Sequence, residues 1–304
     1  MGRKWIWFAV GLVVATAFDV PDADAARKRR VRRAAHPAWL EARSAIVLDT
    51  HTGEALFERQ PDTHMYPAST TKVLTAIVAI ESGQLDDTVI IQASDVRVSP
   101  SIVGLRVGER IALRDLVYGL MLRSGNDAAL AIARHIGRGD RAGFYAKMNM
   151  RAREIGCTDS HFCNPHGLPD RNHYTTARDL GRIMCHAMKN AEFRKITGTQ
   201  RHIASSSKCT RTFYNKNKLL RLYPGATGGK PGYTRAAQQT LVAAAKRRDR
   251  ELVVVCLHSV GRALWSDAAH LLDFGFDRIG ARADAAVDVD GADPRALASL
   301  LAAP

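Results

Sequence analysis

A chain of 304 residues with 46% hydrophobic content holds one large domain or two small ones. Its formal charge of +14 favours anionic partners and has no bearing on fold. The basic residues crowd into one tail without interleaved aromatics, which argues against nucleic acid as a partner, and nothing beyond the N-terminal leader is apolar enough to cross a membrane.

The chain opens with Arg3 and Lys4, runs apolar from Trp5 to Phe18, and reaches a small-x-small pattern at Ala23-Asp24-Ala25. That order predicts a secretory signal peptide over residues 1–25, cleaved on export. The apolar stretch falls short of the roughly 20 residues that span a bilayer. Export places the protein in the periplasm or elsewhere in the extracytoplasmic envelope. Residues 26–43 follow as a basic tail or linker. Its run RKRRVRR, Arg27–Arg33, is expected to stay solvated or to touch anionic membrane or wall polymer loosely.

Ser44 to Gln60, SAIVLDTHTGEALFERQ, predicts a hairpin: a β-type run, a turn at Thr52-Gly53, and a second short strand. A helix from about Ser69 to Ser82 follows, closed by Gly83. From Leu113 to Asn190 the periodicity is helical, in LRDLVYGLML, NDAALAIARHI, RAGFYAKMNMRAREIG and TTARDLGRIMCHAM. The last segment begins with Thr176 and Asp179 at capping-box spacing. QRHIA, GGKPGYTRAA, QQTLVAAAKR and RELVVVCLHSV read as strands, and RALWSDAAHLLDFGF as a closing helix. Short connections make the last three strands antiparallel neighbours. With the first hairpin beside them, both ends of the chain complete one mixed sheet, with the helical block inserted between. Residues 44–280 are the expected folded domain. Residues 281–304 form an Ala-rich, mildly acidic tail without the moment of an amphipathic anchor.

Five cysteines follow the leader, Cys157, Cys163, Cys185, Cys209 and Cys256; an odd number leaves at least one thiol free in a monomer, whatever the pairing. His161, Cys163, His166 and His173 lie close in sequence, yet their spacing fits no zinc pattern, and Pro165-His166-Gly167 reads as a tight turn. No metal and no cofactor are expected.

One charge stands out. In YPASTTKVLTAIVAIESG, Tyr66 to Gly83, Lys72 enters an apolar helix three residues after Ser69, which places both side chains on one face. Ser69 then sits at the positive end of the helix dipole. A Lys pressed against apolar groups and other cations loses proton affinity, so it can take the Ser proton and activate the nucleophile without a histidine. The bland reading makes Ser69 a helix cap and lets Lys72 snorkel to solvent. A second S-x-x-K, Ser205 and Lys208, precedes no apolar helix and reads as a loop or strand end. MLRSGNDAA adds Ser124 and Asn126 in a break between helices, and TGGKPGYT adds Lys230 and Gly232 on a Gly-rich strand.

Taken in that order, S-x-x-K, S-x-N and K-x-G resemble the serine-type D-alanyl-D-alanine carboxypeptidases, the low-molecular-mass penicillin-binding class of peptidase family S11. The resemblance runs from Ser44 to about Ile279 and includes NPHGL at Asn164, HYTTARDL at His173, NKNKLL at Asn215 and LLDFGF at Leu271. It implies an α/β fold of the DD-peptidase/β-lactamase type, an antiparallel sheet flanked by helices with an inserted all-helical subdomain.

The resemblance also implies an activity: removal of the terminal D-Ala of peptidoglycan stem peptides, with β-lactam antibiotics acylating the same residue. Ser69 is then the nucleophile and Lys72 its general base, and Ser124 relays a proton to the departing amine. Asn126 orients the substrate amide and Lys72. Lys230, Gly232, Tyr233 and Thr234 bind substrate, and the N–H groups of Ser69 and Tyr233 form the oxyanion hole.

Two departures stand out. Lys230-Pro231-Gly232 replaces the usual Lys-Thr-Gly, which removes a hydroxyl and a backbone N–H and costs about 1–3 kcal/mol of carboxylate recognition unless Thr234 substitutes. Where many relatives open the last helix with Arg, Leu264 and Trp265 stand, with Arg262 slightly upstream. Three alternatives are weighed: a D,D-endopeptidase on crosslinks, a catalytically weak envelope-binding homologue, and a β-lactamase. The last needs a Glu followed four positions later by Asn, which no Glu of this chain has.

Overall fold

The structure is a computed structural model that describes residues 39–280 continuously. The expected signal peptide, the run Arg27–Arg33 and the tail from residue 281 lie outside the described residues. The first hairpin is β1 (Ser44–Asp49) and β2 (Ala55–Arg59). A 3-10 turn, Ala68–Thr71, then leads into α1 (Lys72–Glu81). The inserted block comprises β3 (Thr88–Ile90), α2 (Ala93–Val96), β4 (Arg110–Ala112), α3 (Leu113–Tyr118), a π-helical turn (Gly119–Arg123), α4 (Asn126–Ile136), α5 (Arg141–Glu154), α6 (Ala177–Ala187) and α7 (Ala191–Gly198). It ends with β5 (Arg201–Ser205), β6 (Thr210–Tyr214) and α8 (Leu219–Leu222). The chain returns as β7 (Ala226–Thr234), β8 (Gln238–Arg247), β9 (Arg250–Ser259) and α9 (Ala263–Arg278).

Both chain ends build one five-stranded sheet in the order β2-β1-β9-β8-β7. Every pairing in it is antiparallel, so the sheet is not mixed. That follows from its joints: β1–β2 and β7–β8–β9 are consecutive hairpins, and the chain reverses once more between β1 and β9. The central strands are apolar at successive positions because both faces are covered. Val253, Val255 and Leu257 of β9 face the helical block, with Ile46 and Leu48 of β1. Leu252, Val254 and Cys256 face α9, whose Leu264, Ala268, Leu271, Leu272 and Phe276 close that layer. This is the period-2 alternation of a strand applied to a two-sided core.

Helix α1 is buried from Lys72 to Ile80, apolar all round as a central helix must be, and packs against α4, α5, α6 and α7. The inserted block is mainly helical and also carries two small sheets, β3–β4 and β5–β6. The linker gives way to the domain before Ser44: Leu40 and Ala42 are buried, and the Ala42 N–H donates to Asp267 Oδ2 of α9 at 2.9 Å. Thr176 caps α6 by accepting the Asp179 N–H at 3.1 Å. The Asp179 carboxylate does not close a capping box; it accepts from the Asp159 N–H and Ser160 Oγ, each at 2.8 Å, and so ties the preceding loop to the helix.

Candidate active site

The 3-10 turn before α1 is held in an unusual backbone. Ala68 adopts φ +49°, and neither the turn nor α1 uses a side-chain cap. Ser69 is therefore not spent on capping. Its half-buried hydroxyl lies 3.0 Å from Lys72 Nζ, the contact made by a residue three positions on in the same turn.

Lys72 does not snorkel; it is fully buried. Besides Ser69 Oγ, its Nζ meets two carbonyl oxygens, Asn126 Oδ1 and His166 O, both at 2.7 Å. Burial drives its proton affinity well below that of a free lysine, Lys230 and Lys216 add to the shift, and Asp127 opposes it. Its orientation is fixed through Asn126, whose Nδ2 donates to Ser99 O at 2.7 Å.

Asn126 opens α4 directly after a strained connection. The π-helical turn Gly119–Arg123 ends on Ser124 in the left-handed region at φ +66°, a conformation rare for a serine and recurrent at functional sites. The turn leaves Ser124 with 6% and Asn126 with 3% of their surface exposed. Asp127 secures the opposite wall, accepting the N–H groups of Val103, Gly104 and Leu105 at 2.9–3.1 Å.

Strand β7 forms the third side, as the edge strand of the main sheet. Lys230 is fully buried and donates to Pro231 O at 3.0 Å. Burial, helped by Lys216, pushes its pKa down to about 7. Gly232 brings the strand against the Ser69 turn: a Cβ there would lie 2.7 Å from Ser69 N and 2.6 Å from Thr240 Oγ1. Tyr233 projects its ring outward, 59% exposed. The Thr234 hydroxyl accepts the Ala237 N–H at 3.0 Å, which ties it to the turn after β7 and leaves its own O–H as a donor. Arg262 occupies the position immediately before α9, so the last helix does open on an arginine.

The second S-x-x-K is elsewhere: Ser205 ends β5 and is exposed, and Lys208 donates to Val107 O. Among the described residues no three His, Cys, Asp or Glu side chains converge as a metal site. The four residues near Pro165 do not converge on one point: His161 Nδ1 meets Asn172 O at 2.6 Å, His166 Nδ1 accepts the Leu168 N–H at 3.2 Å, and His173 Nδ1 accepts the Cys163 N–H at 3.2 Å. All five cysteines are unpaired.

Two groups escape sequence reasoning. The His166 carbonyl is a main-chain atom and has no side-chain signature. Lys216 is a third cation whose Nζ donates to Ser101 Oγ at 3.3 Å and whose charge bears on both Lys72 and Lys230. Its signal is the pair of asparagines around it: Asn215 Nδ2 donates to Thr197 O and Thr199 O at 3.0 and 2.9 Å, fixing the segment that carries Lys216.

Residues 31–260 match the family described as D-alanyl-D-alanine carboxypeptidase, peptidase S11. The D-alanyl-D-alanine carboxypeptidase DacB2 of Mycobacterium tuberculosis is 39% identical over 241 residues, covering 77% of this chain and 82% of that protein. The crystal structure of the Streptomyces K15 DD-transpeptidase superposes with a TM-score of 0.75 at 34% identity, covering 78% of this chain and 98% of that one. A D-alanyl-D-alanine endopeptidase of Escherichia coli is 27% identical over 273 residues, 87% of this chain and 86% of that protein.

Proposed function

The chain belongs to the D-alanyl-D-alanine carboxypeptidase family, peptidase S11, and from that membership and the cleft geometry we propose that it removes the terminal D-Ala of peptidoglycan stem peptides through an acyl-enzyme on Ser69. One observation carries the mechanism: three partners surround Lys72 Nζ, two carbonyl oxygens at 2.7 Å and the Ser69 hydroxyl at 3.0 Å. A neutral amine has two N–H bonds and one lone pair. Carbonyl oxygens only accept, so Asn126 Oδ1 and His166 O take the two N–H bonds. The lone pair is left for the only partner that carries a proton, Ser69. Burial and two neighbouring cations favour that neutral amine.

In the reaction, Lys72 withdraws the Ser69 proton as Oγ attacks the carbonyl between the last two D-alanines. The developing oxyanion is met by the N–H groups of Ser69 and Tyr233. In a strand, N–H groups two residues apart point to the same edge. Pro231 can donate no ladder bond to β8, which fits its nitrogen, and with it the Tyr233 N–H, to the open edge beside Ser69. Ser124 relays a proton to the departing amine, and Asn126 holds both the substrate amide and Lys72. Lys230 supplies positive potential for the substrate carboxylate while restraining protonation of Lys72, and Gly232 lets the strand approach. Water then hydrolyses the acyl-enzyme. β-Lactams acylate the same serine.

The site lies in the domain spanning residues 39–280, and the leader, with the basic run behind it, supports an exported protein near anionic envelope polymers. No helix among the described residues is long and apolar enough to cross a membrane. The competing reading is the endopeptidase, which cuts crosslinks with the same groups. The test is D-alanine release from a pentapeptide muropeptide, together with covalent labelling by a tagged penicillin. Ser69→Ala abolishes both and Ser205→Ala changes neither; equal loss from both substitutions contradicts the assignment. Faster cleavage of a crosslinked dimer than of the monomer would favour the endopeptidase.

A further inference from the structure

Buried Thr71 and His173 form, with half-buried Cys163, a hydrogen-bonded group beside the cleft that no step above uses. The His173 ring is fully buried and packs edge-to-face on Phe162, with centroids 5.7 Å apart. Its Nε2 lies 2.9 Å from Thr71 Oγ1, and its Nδ1 lies 3.2 Å from the Cys163 N–H. A main-chain N–H can only donate, so Nδ1 carries the lone pair. The neutral ring then has its proton on Nε2 and donates it to Thr71 Oγ1.

These two bonds join two segments that both touch Lys72. Thr71 immediately precedes it. Cys163 begins the loop Cys163–Leu168, which runs along one face of the helix entrance. Within that loop His166 O accepts from Lys72 Nζ and Pro165 O accepts from Thr75 Oγ1, each at 2.7 Å. Gly167, at φ +87°, lies so close to the Ser69 turn that a Cβ would fall 1.7 Å from Ala68 O. Residues 68, 71, 72 and 75 are therefore read by one loop, as helical spacing allows.

We propose that His173 is a positioning residue for the acylation step, clamping the loop Cys163–Leu168 to the start of α1 so that the His166 carbonyl takes one Lys72 N–H and the Lys72 lone pair stays on Ser69. The inference rests on the Ser69–Lys72 reading given above. A doubly protonated ring would set a second proton against the Cys163 N–H and open the clamp. Burial keeps the ring neutral, pushing its pKa down to about 4, with Asp170 opposing and His161 and Lys72 adding to the shift. A glutamine reproduces the two roles, its amide oxygen accepting from Cys163 and its nitrogen donating to Thr71; leucine fills space and does neither.

The experiment compares His173→Leu, His173→Gln and wild type for the second-order rate of acylation by a tagged penicillin, with melting temperatures alongside and Ser69→Ala as control. His173→Leu is expected to acylate about 10- to 100-fold more slowly, the range for misplacing a reacting group by a fraction of an ångström to an ångström, while His173→Gln recovers most of the rate. Long-range 1H–15N spectra of the wild type should show the neutral Nε2–H tautomer of His173 at pH 6. A folded His173→Leu that acylates at the wild-type rate, a His173→Gln as slow as the leucine variant, or an Nδ1–H or doubly protonated ring overturns the proposal. Should His173→Leu not fold, the glutamine variant and the spectra decide. Labelling that persists in Ser69→Ala defeats the underlying reading instead and is read separately.

Discussion

Gly232→Ala places one methyl group between the edge strand and the nucleophile. The added carbon would stand 2.7 Å from Ser69 N, 2.6 Å from Thr240 Oγ1 and 3.1 Å from Ala68 Cβ, where ordinary contact begins at 3.4 Å. Thr240 cannot swing away freely, because its hydroxyl donates to Pro67 O at 3.1 Å and so is tied to the same turn. Strand and turn must part by about 0.7 Å, the shortfall at a backbone atom that has no rotamer to change. Overpacking of this size costs about 1–3 kcal/mol of stability. The larger effect is on rate, because the displacement separates the Ser69 and Tyr233 N–H groups that face the oxyanion. Misplacement approaching 1 Å costs up to about 100-fold, so acylation should slow by about 10- to 100-fold. Stopped-flow acylation with a tagged penicillin and a parallel thermal melt measure the two effects separately. A folded Gly232→Ala that acylates within about twofold of wild type would refute the claim that β7 and the Ser69 turn jointly bind the oxyanion.

Three further outcomes are expected. Lys230→Gln removes a cation that restrains protonation of Lys72; the proton affinity of Lys72 rises, and the acid limb of the kcat/KM profile moves to higher pH. An unmoved or lowered midpoint contradicts this electrostatic role. Folding stability should fall with acid because burial depresses His166 to about 3 and His173 to about 4, both from 6.5. Below pH 6.5 the unfolded chain binds protons that the folded chain refuses, so the contribution is complete above that pH and drains away toward pH 4 and then 3, by a few kcal/mol in order of magnitude. Urea unfolding at a series of pH values checks it, and a flat profile across that window is the contrary result. Pro231→Thr restores a hydroxyl on the edge strand, and kcat/KM for peptides ending in a free carboxylate should rise by about tenfold or more, the worth of one added hydrogen bond to a charged group; no gain would mean the carboxylate is already satisfied by another donor.

The sheet and the site were legible to different depths. Strands β1, β8 and β9 announce themselves through long β-branched and apolar runs, and the Thr52-Gly53 turn marks the first hairpin. The wholly antiparallel order did not follow from any one strand, because it depends on how the chain re-enters after the insertion. β3 and β4 are three residues each and pair across a long loop, too short to show a period. Helix α7 follows α6 so closely that its only separate signal is its own cap, Asn190 accepting the Phe193 N–H. In the site, Lys72 was conspicuous because a charge at the mouth of an apolar helix demands a reason. The left-handed Ser124, the His166 carbonyl and the third cation Lys216 were not, since they depend on backbone geometry and on distance in space. Thr234 shows at its spacing, whereas the bond its hydroxyl accepts from Ala237, in the turn between β7 and β8, shows only in three dimensions.

The titration of Lys72 itself tests the account most directly. With lysine labelled at Cε and the Lys72 resonance assigned by its loss in Lys72→Arg, the account predicts a midpoint well below the ordinary lysine value of 10.5 that coincides with the acid limb of acylation. A Lys72 that titrates near 10.5 while Ser69 acylates at full rate at neutral pH would contradict it.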